Sequence, residues 1–259
     1  MEQTLPPPFP IVGIGASAGG LEAFMQMLQS LPTTTGMAYV LVQHLDPMHP
    51  SFLSDLLARA TGMPVHEVRE GMIVEINHVY VIPPNTDMTL EQDILTLVPQ
   101  TKTDGQHLSI DTFLHSLAES RTFSAIGVIL SGIASDGTLG LQAIKMQGGI
   151  TLAQDANSAR FSGMPQSAIT AGYVDFIGSP EQIASELTRI SRHPYVLQQQ
   201  ETETEVEITP QMHGQDLPIE ERDFQQIVLI LRNKTEVDFT AFKPATLKRR
   251  ILRRMMLQQ

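Results

Sequence analysis

Residues 13–20 read GIGASAGG, directly behind the apolar pair Ile11-Val12, and the reading of this stretch decides the fold. An apolar run that ends in a glycine-rich turn and gives way to a helix-like stretch is how a parallel sheet wrapped by helices begins. The turn fits two templates. Gly13, Gly15 and Ala18 match G-x-G-x-x-[GA], which lays a dinucleotide pyrophosphate on a helix N-terminus. Gly15, Ser17 and Gly19 match G-x-S-x-G, the sharp strand-to-helix turn that exposes a nucleophilic serine.

Outward from this turn, short apolar runs alternate with helical stretches up to about residue 195. Strands are expected at 11–15, 39–43, 78–82, 94–98, 125–130, 149–153 and 173–177, and helices near 20–31, 50–61, 110–121, 137–147, 165–171 and 180–192. The segment VYVIPPNTDMTLEQDILTLV breaks the alternation with turn chemistry and reads as an antiparallel excursion. The expected fold class is α/β: a doubly wound, mostly parallel sheet with an antiparallel hairpin, plus a short C-terminal helical segment. Met25, Met27 and Leu28 on the first helix read as core.

Three regions follow from pattern and composition: an α/β domain over 1–195, a polar, acidic linker over 196–217, and a helical stub over 218–259. The stub ends in mid-pattern at RRMMLQQ, as the front part of a longer protein would. Net charge is −11, but the last 17 residues carry six positive charges and no negative ones. The overall acidity argues against nucleic acid as a partner. Cysteine is absent, which removes disulfides, thiolate metal sites and cysteine nucleophiles. Neither a signal peptide nor a membrane span is legible, so a cytoplasmic protein without membrane insertion is expected.

The dinucleotide template requires an acidic residue about 20 positions on, at the end of the next strand, to hold the ribose. That place is taken by Gln43-His44, and the nearest acid, Asp46, lies 31 residues beyond Gly15. The nucleophile template requires a base and an orienting acid. His44 ends the second strand and Asp136 follows the strand at 125–130, so both fall with Ser17 at the strand ends where open α/β sheets place their sites. A serine hydroxyl becomes nucleophilic when a neutral imidazole takes its proton and a carboxylate fixes the imidazole tautomer. The Ala18 backbone N–H, at a helix start, is the first oxyanion donor. Singly, Ser17 also fits a turn or helix cap, His44 a core histidine and Asp136 a turn residue. The run HLDPMH offers His44, Asp46 and His49 as metal ligands, but Pro47 interrupts it and no helical i, i+4 spacing is present; no metal or other cofactor is expected.

GIGASAGG, LVQHLDP, VYVIPPN, LSGIASDGTLG, GGITLAQD, FSGMPQSAI and GYVDFIGSP, in this order, resemble the catalytic domain of the chemotaxis receptor methylesterases of CheB type across residues 10–193. The resemblance implies hydrolysis of γ-glutamyl methyl esters on chemoreceptors, with release of methanol, and in many members deamidation of receptor glutamines. It places the nucleophile on Ser17, the base on His44, the acid on Asp136 and a second oxyanion donor on the Ile133 backbone N–H. The position after the nucleophile, often threonine, is Ala18, so a side-chain hydroxyl is missing from the oxyanion hole. The methylated chemoreceptor is the implied partner; the oligomeric state stays open. FQQIVLILRNKTEVDFTAFKPATLKRRILRRM resembles the opening helices of CheR-type receptor methyltransferases, implying a methylesterase–methyltransferase fusion whose first strand follows no receiver domain. A regulatory or receptor-docking module with little turnover is the competing expectation.

Overall fold

Strand β1 (Ile11–Ala16) is buried along its whole length, and its two glycines explain how. A Cβ on Gly13 would lie 2.7 Å from Leu114 and 2.8 Å from Leu117, both on helix α3 (Ser109–Arg121). The missing side chains let a helix carrying Ile110, Phe113, Leu114 and Leu117 close onto the strand, and all four side chains are fully buried. Each contributes about 1.5–3 kcal/mol by leaving water. The first glycines of GIGASAGG therefore serve sheet–helix packing, which the dinucleotide template does not require of them.

The structure is a computed structural model that describes residues 9–44, 53–100, 107–192, 221–235, 239 and 244–258. After β1 come α1 (Gly20–Ser30), β2 (Ala38–Gln43), α2 (Leu53–Ala58), β3 (Val65–Glu67), β4 (Met72–Ile73), β5 (Val79–Val81), β6 (Thr86–Glu91) and β7 (Ile94–Pro99). Helix α3 then leads to β8 (Ala125–Ile129), α4 (Thr138–Met146), β9 (Ile150–Gln154), α5 (Gly163–Thr170), β10 (Phe176–Gly178) and α6 (Pro180–Ser191). The main sheet has seven parallel strands in the order β10-β9-β8-β1-β2-β5-β3. Helices α3 and α4 pack together on one face, while α1 and α6 pack together against β1 and β9. The chain steps from β1 outward to β2 and later returns to β8 on the other side of β1. That reversal is the switch point where an open α/β sheet leaves a crevice beyond its carboxyl ends.

The α/β fold is as the sequence implies, and the differences lie at its margins. The antiparallel excursion is a separate three-stranded sheet, β4-β7-β6. Its hairpin turns at Gln92-Asp93, both with positive φ (47° and 65°), the conformation of a two-residue turn whose twist matches antiparallel strands. Val79–Val81 belongs instead to the parallel sheet, and the unforeseen β3 is its edge. In the run 173–177 only Phe176 and Ile177 are strand. Upstream, Asp175 N still donates to Thr151 O (2.8 Å), but Thr151 N donates to the Asp175 carboxylate (3.1 Å) and Thr151 Oγ1 to the Tyr173 carbonyl (2.6 Å), so side-chain bonds take part of what a regular ladder would hold. Helix α2 is described only from Leu53, and the expected linker at 196–217 lies outside the described residues.

The polypeptide divides into two compact units, 1–200 and 201–259. In the second, α7 (Glu221–Thr235) and α8 (Pro244–Gln258) are joined by Lys248, whose Nζ lies 3.0 Å from the Glu221 carboxylate and 5.1 Å from the Phe224 ring centroid. Among the described residues no helix is long and apolar enough to cross a membrane.

Candidate active site

At the carboxyl end of β1 the chain turns sharply. The Ser17 N–H donates to Ser131 O (3.0 Å), Ser17 O accepts from Gly20 N (2.9 Å), and Gly19 takes a left-handed φ of 70° to start α1. Ser131, fully buried behind β8, fastens this turn: its hydroxyl donates to Ala18 O (2.8 Å) and accepts from Phe161 N (3.0 Å). Its own N–H is taken by the buried Gln154 side chain at 2.8 Å. The loops after β1, β8 and β9 are thereby held as one piece. Gly132 lets them meet, because a Cβ there would lie 3.0 Å from Ser17 Cβ.

His44 follows β2, its N–H bonded to Ala16 O at 3.3 Å. Its Nε2 lies 2.8 Å from Asp136 Oδ2, and Asp136 is only 4 % exposed. The carboxylate is itself built into a helix start: Oδ2 also accepts from Ile110 N (3.1 Å) and Oδ1 from Asp111 N (2.9 Å), two of the orphan N–H groups of α3. A charge fixed by three donors cannot swing away, so it orients the imidazole and leaves Nδ1 as the basic nitrogen.

Ser17, His44, Ile133 and Asp136 line one cavity of about 510 Å³, to which Pro83, Pro84, Asn85, Thr86 and His107 also contribute. The structure thus brings together the three side chains that the sequence separates by 27 and 92 positions. No hydrogen bond joins Ser17 Oγ to the His44 ring among the described residues. Such contacts are often open in a free enzyme and close around substrate. Ala18 and Ile133 flank the serine, and neither N–H is bonded among the described residues. Asp46 and His49 lie outside the described residues.

Sequence reasoning missed the supporting residues. Ser131 and Gln154 give no signal apart from their position after a strand. Asp111, 7 % exposed, accepts from Gly140 N at 2.7 Å and so caps α4, which follows Asp136 directly. Burial, with Asp136 beside it, pushes the Asp111 carboxyl up to about 6. Its first-turn position on α3 is a legible signal for an ordinary capping acid, but not for contact with a second helix.

Comparison with known proteins is consistent with this geometry. A family model described as CheB methylesterase matches residues 12–187. A 104.1 kDa protein of Rhodobacter capsulatus is 38% identical over 216 residues, covering 80% of this chain and 23% of that protein. A putative protein-glutamate methylesterase/protein-glutamine glutaminase of Leptospira interrogans is 34% identical over 181 residues, 70% of this chain and 94% of the relative. Protein-glutamate methylesterase/protein-glutamine glutaminase 2 of Burkholderia pseudomallei is 33% identical over 179 residues, and the chain spans 52% of its length. The solved CheB methylesterase catalytic domain of Thermotoga maritima superposes with a TM-score of 0.65 at 28% identity, covering 70% of this chain and 98% of that one.

Proposed function

The chain belongs to the CheB methylesterase family, and from that premise we propose that it hydrolyses γ-glutamyl methyl esters of chemoreceptors, with Ser17 as nucleophile, His44 as base and Asp136 as the orienting acid. The observation that carries the reading is the buried Asp136 carboxylate on His44 Nε2, on the same cavity wall as Ser17. Ser17 Oγ attacks the ester carbonyl while His44 Nδ1 takes its proton. The tetrahedral oxyanion is received by the N–H groups of Ala18 and Ile133, preorganised donors that strengthen as charge develops. Collapse breaks the C–OCH3 bond, and the imidazolium returns its proton to give methanol. Water, deprotonated by His44, then releases the glutamate carboxylate and restores Ser17. A glutamine side chain would follow the same path with ammonia as leaving group.

The substrate is a protein helix presented in the cytoplasm, and the cavity is open enough to admit a side chain from it. Residues 224–255 are read as the start of a CheR-type methyltransferase, so that both directions of one modification would reside in a single polypeptide. The deciding experiment is methanol release from a methylated receptor fragment. Wild type turns over, and Ser17→Ala keeps no more than a few per cent of the rate; equal rates would reduce the domain to a docking module.

A further inference from the structure

The buried polar groups around α3 and α4 go beyond what a triad requires. Asp136 caps α3 through Ile110 and Asp111, and Asp111, on α3, caps α4 through Gly140. Asp136 stands three residues before Leu139 and two before Thr138, at the start of that same α4. Each helix thus supplies the anion that closes the other, and the catalytic acid is one half of the clasp. Both carboxylates are buried, at 4 % and 7 % exposure. We propose that Asp111 is a positioning residue of the proposed triad: by pinning the first turn of α4 to that of α3, it sets where the Asp136 carboxylate meets His44. This rests on the assignment of Asp136 as the orienting acid.

The clasp carries two negative charges where one would suffice for catalysis. Asp111 faces Asp136 across the α3–α4 contact and His115 on its own helix. On β6, the buried Asp87 accepts from Ser109 Oγ at the start of α3. Lys145 of α4 pairs with Asp175, and Arg121, ending α3, pairs with Asp93. β1 and β8 carry no ionisable side chain, and β2 only Tyr39, which burial pushes up to about 12. Because burial and Asp136 raise the Asp111 carboxyl to about 6, it gains a proton at mildly acidic pH and weakens as the acceptor of Gly140 N–H. The proposed esterase should then lose activity on the acid side as the clasp takes up its proton.

The test uses the full 259-residue chain, a peptide γ-glutamyl methyl ester, and kcat and KM from pH 5 to 9. Asp111→Asn keeps an acceptor for Gly140 but removes the charge; kcat falls by about tenfold and KM holds. Asp111→Ala removes both, and kcat falls on the order of 10²-fold, the loss expected from misplacing a reacting group by about 1 Å. The acid limb of the wild type is steeper than that of Asp111→Asn, in which position 111 no longer takes up a proton. An unchanged limb with unchanged kcat in both variants overturns the proposal, as does a loss that only tracks the folded fraction. A second readout needs no turnover: the downfield imidazole N–H resonance of the His44–Asp136 bond, identified by its loss in Asp136→Asn. Its broadening in Asp111→Ala supports the clasp, and its persistence overturns it. A wild type that releases no methanol defeats the functional reading alone, because the resonance still decides the role of Asp111.

Discussion

Two helix starts at the same rim of the sheet use the same backbone donors in opposite ways. At α3 the free N–H groups are filled permanently by the Asp136 carboxylate, with bonds of 2.9 and 3.1 Å. At α1 the cap is Gly19, which offers no side-chain hydrogen bond, and the Ala18 N–H beside it has no acceptor among the described residues. One helix start is closed and holds a charge in place; the other is open, at the point where the proposed mechanism develops a charge only during reaction. Preorganised donors stabilise a transition state because their orientation cost has been met in folding, and an unfilled start supplies them without an extra side chain.

The largest expected effect tests the open start. Ser17→Ala removes the group that generates the anion, and kcat for methyl ester hydrolysis falls by up to about 10⁶-fold, measured as methanol release. A residual rate above a few per cent would show that nothing of consequence develops at α1. The closed start comes next. Asp136→Asn leaves a side chain that can still cap α3 but presents an amide to His44 Nε2, and kcat drops by about 10⁴-fold while KM changes little. A near-normal rate would make Asp136 a helix cap and no more.

The third effect separates stability from activity at the clasp. Asp111 holds its proton up to about pH 6 in the folded protein against 3.8 for an aspartate free in water, chiefly through burial. Between those values the folded state binds more protons than the unfolded one, so stability falls as pH rises from about 4 to about 6. Above that range the ionised group costs on the order of 3 kcal/mol, and Asp111→Asn should be more stable than wild type at pH 8 by up to about that amount, converging with it near pH 4. Denaturant unfolding at pH 4, 6 and 8 checks this; a variant less stable at pH 8 would make Asp111 an ordinary structural cap. The smallest effect is a control at a helix start on the same rim but at the far edge of the sheet, after β10. Ser179 caps α6 in a reciprocal box with Gln182, and Ser179→Ala should cost about 0.5–2 kcal/mol in unfolding free energy with kcat unchanged.

The open start was legible in sequence and the closed one only in part. Ser17, His44 and Asp136 each follow an apolar run, and position after a strand is a local property that periodicity reveals. The hydrogen bonds of Asp136 to α3 and of Asp111 to α4 are not local: the groups lie 25 to 29 residues apart and meet only once two helices have packed. The hairpin shows the same limit. TDMTLE buries Met88 and Leu90 on one face in strand alternation, yet Asp87, also buried, satisfied by Ser109, makes the run look like a turn. The bonds of Thr151 to the Asp175 carboxylate and the Tyr173 carbonyl, just before the last strand, were invisible for the same reason.

Gly13 stands at the middle of β1, four residues from Ser17 and with no polar neighbour in its packing, and still bears on the chemistry. The helix that closes over it is the helix whose first turn grips Asp136. A methyl group at Gly13 would meet the side-chain ends of Leu114 at 2.7 Å and Leu117 at 2.8 Å, and where this packed interior lets neither repack, α3 must shift and carry the grip with it. Such a lesion would register in kinetics as damage to the orienting acid although it lies inside the hydrocarbon interior. The functional footprint of this domain therefore extends through the sheet, and a map of inactivating substitutions would trace the contact plane of a strand and a helix as clearly as the outline of the substrate.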